Sequence, residues 1–224
     1  MARFRLVTFD VYTALFDVEG SLVPVVRQAL PTAVDPLDLV RTWRRKQLEY
    51  LLISNSLQHG RVSFRDITRR ALDYAASRGH APLSEAMADD LVSAWDRLDL
   101  WPEGGEVLKA LGARGYRMGL LSNGDESMLR ALAARLPVPC EDVFSSEQAG
   151  HYKPHPSVYA LPQRTLQITA DQMLHVAGSP TDVMGTRAAG LRCAWVNRGG
   201  DRVLDPRLAA NDEVTDLRGI LPLL

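Results

Sequence analysis

The stretch RLVTFDVYTALFD, residues 5–17, decides how the rest of the chain is read. Leu6, Val7, Thr8 and Phe9 have the apolar, β-branched and aromatic character of a buried strand. The run ends on a bare carboxylate, Asp10. Tyr12 stands two places later, and a second carboxylate, Asp17, follows a short apolar turn. In an open parallel sheet the working groups gather at the carboxyl ends of the strands, so an acid at this tip is a candidate site residue. Taken alone, an Asp at a strand tip is more often a turn or helix-capping residue. The reading of Asp10 therefore depends on what stands at the tips of the other strands.

After Asp17 the pattern turns helical, and residues 18–98 show no strand. PLDLVRTWRRKQLEYLLISNSL carries Leu39, Val40, Trp43, Leu48, Leu51 and Leu52 at helical spacings. SFRDITRRALDYAASRG opens at Ser63, with Asp66 three residues on, and closes at Gly79. SEAMADDLVSAWDRL begins at a further N-cap candidate, Ser84, and Asp17 is expected to cap the start of the block or its hinge. From residue 99 strands and helices alternate. Helix 103–113 precedes strand 117–122, helix 125–135, a short strand near Val143 and Phe144, and a helix after Pro156. Strand 174–178, a helix to Ala189, strand 193–197 and a weak helix after Val214 complete the series. Such alternation predicts right-handed crossovers and a parallel sheet covered on both faces. The expected architecture is an α/β core, residues 1–17 and 99–224, interrupted after its first strand by an all-helical insert, residues 18–98.

Composition excludes several classes. The chain has 224 residues, 46% of them hydrophobic and 24% charged, with net charge −1, values ordinary for a soluble globular protein. A balance this close to neutral gives no electrostatic argument for nucleic acid or an anionic membrane surface. No apolar run approaches the ~20 residues needed to span a bilayer, and residue 1 leads into a strand without a signal-peptide pattern. Cys140 and Cys193 match no metal-binding or redox spacing and read as reduced thiols, so a cytoplasmic location is expected.

Four strand ends carry polar groups in topological order. The first ends in Asp10 and Tyr12, and the 117–122 strand in Ser122, Asn123 and Gly124. Lys153 lies in the loop before the helix at Pro156, and the strand LHVAG runs into Ser179, Thr181 and Asp182. Two acids, a hydroxyl–amide pair and a lysine converging at one sheet edge form a coherent site. By contrast, His151, His155 and His175 are not at metal-ligand spacing and read as packing or surface residues, and Trp95, Trp101 and Trp195 as core or interface.

The set FDVYTALFD, LLSNGD, YKPHPSVY and HVAGSPTDVMGTRAAG resembles the haloacid dehalogenase superfamily along nearly the whole chain. The resemblance implies a Rossmann-like core with a helical cap inserted after strand 1, and it makes Asp10 a nucleophile that forms a covalent intermediate later cleaved by water. Lys153 would hold Asp10 ionised, Asp182 with Lys153 would position and activate water, and Ser122 and Asn123 would offer donors to an anionic substrate group. WRRKQLEY, residues 43–50, is similar to the W-R-x-K-Q-L-E-Y cap helix of the 2-haloacid dehalogenases, where Arg44 would help bind the departing halide.

Tyr12 separates branches of the superfamily. The phosphatases carry D-x-D, whose second acid protonates a leaving alcohol, whereas a halide leaves without a proton and Tyr is a poor acid near neutral pH. VAGSPTD supplies one acid, Asp182, and two carboxylates make a poor magnesium site, so neither metal nor other cofactor is expected. Tyr12, Tyr159 and Ser179 join the candidate substrate contacts. Departures from the dehalogenase pattern are also present. D-x-Y-G-T is DVYTA here, so Thr13 comes one place early and Ala14 has no hydroxyl. S-S-N-x-x-D is Ala177, Gly178, Ser179 with Asp182 retained, and an aromatic pocket position is Thr181. The expectation is a metal-independent hydrolase of small 2-haloalkanoic acids, with a possible homodimer. The alternatives are a Mg²⁺-dependent small-molecule phosphatase of the same superfamily, which SSEQAG favours, and a nearly inactive ligand-binding member.

Overall fold

The computed structural model describes residues 4–57 and 59–224. Their Cα positions divide into two compact units. One runs to Phe16 and resumes as Leu100–Leu224; the other is Asp17–Asp99. The chain opens with β1 (Leu6–Phe9), a five-residue π-helical turn (Val11–Leu15) and the two-residue β2 (Phe16–Asp17). Four helices follow: α1 (Val18–Ala29), α2 (Pro36–Ser56), α3 (Phe64–Arg78) and α4 (Glu85–Ser93), the last continued by a 3₁₀ turn, Ala94–Arg97. Then β3 (Asp99–Leu100) pairs with β2 as a short ribbon. The remainder alternates: α5 (Gly104–Ala113), β4 (Met118–Ser122), α6 (Glu126–Ala133), β5 (Asp142–Ser145), α7 (Ser146–Ala149), α8 (Pro156–Leu166), β6 (Met173–Ala177), α9 (Pro180–Ala188), β7 (Arg192–Val196) and β8 (Asp212–Val214).

Six strands form one sheet in the order β5-β4-β1-β6-β7-β8, and every neighbouring pair is parallel. This is the expected α/β class. All four residues of β1 are buried, as a central strand covered on both faces requires. In register, Val7 faces Met118 of β4 and Thr8 faces His175 of β6. The chain steps outward from β1 through β4 to β5 and then returns to β6 on the other side of β1. That reversal opens a crevice at the carboxyl ends of the strands beside it, where ligands bind in open α/β sheets.

Several elements were not legible from the pattern, among them the β2–β3 ribbon, β8 and α7. The edge strand β8 is only three residues long and contains Asp212 and Glu213, so it lacks the apolar run of a central strand. The short α7 is held by a capping box in which Ser145 and Gln148 satisfy each other's backbone amides. After Val214 the expected helix is a 3₁₀ segment, Leu217–Leu223, containing Pro222, which lacks the donor an α-helix would need.

The helical unit shows the anticipated caps. Asp17 accepts from Gly20 N at 2.8 Å, Ser63 from Asp66 N at 3.0 Å and Ser84 from Met87 N at 3.3 Å, and Asp35 adds a fourth cap on α2. Its core is aromatic: Trp95 meets Trp43 and Phe64 edge-to-face at centroid distances of 5.5 and 6.1 Å. Buried Trp43 and Gln47 find their donors' partners on Thr68, at 2.7 and 2.5 Å. Among the described residues no helix is long and apolar enough to cross a membrane.

Candidate active site

Asp10 follows β1 and is the N-cap of the π-helical turn, which bends the chain back across its own carboxylate. One oxygen, Oδ2, accepts from Thr13 N at 3.1 Å and from Thr13 Oγ1 at 2.6 Å. The other, Oδ1, accepts from Ser122 Oγ at 3.2 Å and Lys153 Nζ at 3.3 Å. Four donors thus fix the carboxylate, whose side chain keeps 11% exposure as a route for a reactant. Thr13, though one place early by position, does hold Asp10, because the wider π turn brings its hydroxyl over the carboxylate. The turn needs room at Gly178, where a Cβ would stand 2.4 Å from Thr13 C and Ala14 N.

Lys153 is positioned through its backbone. Its amide donates to Asn123 Oδ1 at 2.7 Å, while Asn123 O accepts from Ser146 Oγ at 2.7 Å, so Asn123 ties the β4 and β5 loops to the lysine. Asn123 was expected as a substrate contact; its carbonyl oxygen is spent on this tie. From there the nearly buried ammonium reaches Asp10, Asp182 Oδ2 at 2.9 Å and His175 Nε2 at 3.2 Å.

Asp182 lies in the first turn of α9. Ser179, expected as a substrate contact, is the N-cap of that helix and accepts from Asp182 N at 3.4 Å. The carboxylate accepts from Tyr159 Oη on Oδ1 at 2.9 Å and from Lys153 Nζ on Oδ2, and His175 Nε2 lies 3.0 Å from the same Oδ2. Burial opposes its charge, but the Lys153 and His175 side chains outweigh burial and hold the carboxyl well below the usual carboxylate range. A carboxylate so engaged is an anchor and a poor base, which narrows the part expected of Asp182 in activating water. Burial, and then the Asp182 charge, push the Tyr159 phenol well above its ordinary value, so it stays a donor.

His175 is the site residue that sequence reasoning missed. It is fully buried, with Nδ1 2.9 Å from Thr8 Oγ1 and Nε2 shared between Asp182 and Lys153. The available signal was a polar ring inside the apolar strand MLHVA, seven residues before Asp182. His151 and His155 stack on each other, centroids 3.8 Å apart, and Cys193 is a buried thiol pushed far up by burial. Tyr12 is buried, and its hydroxyl is so near Gly124 that a Cβ there would come within 2.5 Å. Arg44 belongs to the helical unit, on α2, where it bonds Gln47 and lies 5.6 Å above the Trp95 ring. Among the described residues no group of three or more His, Cys, Asp or Glu side chains is arranged to hold a metal ion.

Residues 4–190 match the model of a haloacid dehalogenase-like hydrolase family. The chain belongs to that family. It is 32% identical over 202 residues to haloacetate dehalogenase H-2 of Moraxella sp. (strain B), covering 89% of this chain and 88% of that one. It is 30% identical over 225 residues to the (S)-2-haloacid dehalogenase of Pseudomonas sp. (strain YL), covering 100% and 95%. A solved L-2-haloacid dehalogenase superposes with TM-score 0.90 at 30% identity, covering 99% of each chain. The L-2-haloacid dehalogenase of Xanthobacter autotrophicus with chloropropionic acid covalently bound superposes with TM-score 0.86 at 27% identity, covering 99% of this chain and 98% of that one.

Proposed function

We propose that this hydrolase cleaves the carbon–halogen bond of small 2-haloalkanoic acids through an ester on Asp10, without a metal. The observation that carries the reading is Asp10 itself, a carboxylate at a strand tip with both oxygens fixed by Thr13, Ser122 and Lys153. Its oxygen attacks C2 in line with the halide, the C–X bond breaks with inversion, and the halide leaves with the electron pair. Water then adds to the Asp10 carboxyl carbon, the acyl C–O bond breaks, and the hydroxy acid departs. Lys153 and Ser122 oppose the charge that builds on the carboxyl oxygen in this second step.

The activities of the relatives support the substrate class. The donor set does not fit Mg²⁺: Asp182 already accepts from Tyr159 and Lys153, Lys153 bridges the two acids, and Tyr12 occupies the place of a second acid. The reading includes the helical unit, 17–99, as a cap that excludes bulk water, with Arg44 meeting the departing halide and Tyr12 lining the substrate site. Two free thiols and a near-neutral charge fit a cytoplasmic protein that binds no nucleic acid. Leu48, Leu52 and Ile53, exposed along α2, and Leu57 at its C-cap support a homodimer, which sedimentation of a Leu52→Glu variant as a monomer would test.

The deciding experiment is hydrolysis of chloroacetate and L-2-chloropropionate in H₂¹⁸O, followed by mass spectrometry of the peptide holding Asp10. Label in that peptide after multiple turnovers, with halide release, is the expected result. Absence of both sinks the reading, as does phosphatase turnover that requires Mg²⁺ and is lost with EDTA.

A further inference from the structure

His175 has no assigned part in the reaction, yet it is in contact with the two charged side chains that flank Asp10's charge. Nζ of Lys153, Nε2 of His175 and Oδ2 of Asp182 form a triangle with sides of 3.2, 3.0 and 2.9 Å. The lysine ammonium only donates and the carboxylate only accepts; Nε2 does one or the other. With a proton on Nε2, the ring donates to Asp182 and repels the ammonium toward Asp10. With Nε2 bare, the ring accepts from Lys153 and draws it away from Asp10, its longest contact at 3.3 Å. Nδ1 keeps Thr8 as its partner in both states, since a hydroxyl donates or accepts, so the ring need not turn.

We propose that His175 is a positioning residue whose ring proton follows the charge on Asp10 and thereby decides which partner Lys153 serves. Charge counting supports the coupling. The groups facing the ring are Thr8 of β1, Lys153, Tyr159 of α8, Asp182 of α9 and Cys193, its register partner on β7, and Asp10 is reached from the ring through Lys153. Tyr159 and Cys193 are held neutral by burial. With Asp10 ionised, two buried carboxylates face one lysine, and a second cation, the imidazolium, balances them. Esterification of Asp10 removes one anion, the lysine alone balances Asp182, and the ring releases its proton to solvent. In hydrolysis one proton of the attacking water leaves on the hydroxy acid, and the other restores the imidazolium as the Asp10 carboxylate reappears. The sum is one halide and one proton per turnover.

The coupling goes beyond the dehalogenase reading in its chemistry, but it is tested without turnover. Histidine-labelled protein is titrated by ¹⁵N NMR as wild type and as Asp10→Asn, which removes the anion at equal size. The His175 signals are assigned by elimination with Asn at His59, His80, His151 and His155. Loss of a nearby opposite charge is worth about 1–3 pH units, so the ring should lose its second proton at least about one unit lower in Asp10→Asn. Superimposable titrations overturn the proposal, whatever the enzyme's substrate. As a second measurement, His175→Gln keeps an amide against Asp182 but does not titrate. It should lose one ionisation from the kcat profile while KM moves less than about twofold. A kcat profile that keeps the wild-type ionisation also overturns it.

Discussion

Replacing Gly178 by Ala tests whether the loop that holds Asp10 is as tightly determined as its contacts imply. The glycine is not in the left-handed region, so backbone strain is not the issue and only space is. A Cβ there would stand 2.4 Å from Thr13 C and Ala14 N and 2.6 Å from Thr13 Oγ1, whereas real Cβ contacts essentially never fall below 3.0 Å. The atoms met are mostly backbone, which cannot swing aside as a side-chain end can. To reach even 3.0 Å, the turn must retreat by 3.0 − 2.4 = 0.6 Å. That retreat moves the residue holding Asp10 Oδ2, and since a 1 Å misplacement costs about 10²-fold in rate, kcat should fall about ten- to a hundredfold. Overpacking costs about 1–3 kcal/mol, and at about 2–4 °C per kcal/mol Tm should fall by about 2–12 °C. Halide release from chloroacetate and thermal unfolding measure the two effects. A Gly178→Ala protein with wild-type kcat and wild-type Tm refutes the packing argument.

Lys153→Met leaves two buried carboxylates without their shared ammonium; we expect about 3–5 kcal/mol of lost stability in urea unfolding and no measurable halide release. Tyr159→Phe removes one donor from ionised Asp182 and should cost about 1.5–3 kcal/mol, read from the same unfolding curves. The depressed Asp182 carboxyl has a defined pH signature. Its unfolded form takes a proton near about pH 3.9, before the folded form does, so its stabilising effect is full above that pH and fades as pH falls further. Unfolding free energies of wild type and Asp182→Asn should therefore converge between about pH 4 and pH 2, and a constant gap would contradict the assignment.

The parallel sheet was legible because its central strands are apolar runs bounded by helical segments, and β1 declared itself in four residues. Asp10, Ser122 and Asp182 were legible because each ends or closely follows a strand, and Lys153 because it stands in the loop just before a helix; the structure brings these four together. The bond from Thr13 to Asp10 could not be read by position, because such a comparison counts residues, whereas the π turn changes how far each residue carries the chain. His175 was missed for a different reason. One imidazole in a buried strand carries no spacing signal, and its partners Thr8, Lys153 and Asp182 are 167, 22 and 7 residues away. The edge strand β8 lay beyond reach because its pairing with β7, rather than its own composition, makes it a strand.

The place of β1 at the middle of the sheet has a consequence for synthesis on the ribosome. Val7 pairs with Met118, which is 118 − 7 = 111 residues later, and Leu6 waits for Met173. At about 5–20 residues per second, the first neighbour emerges roughly 6–22 s after β1. Through that interval an apolar strand has no sheet to join, while residues 17–99 emerge whole and can compact. The nascent chain thus has its helical unit before its sheet, and the strand that ends at Asp10, among the earliest segments made, waits longer for its neighbours than any other strand of the sheet.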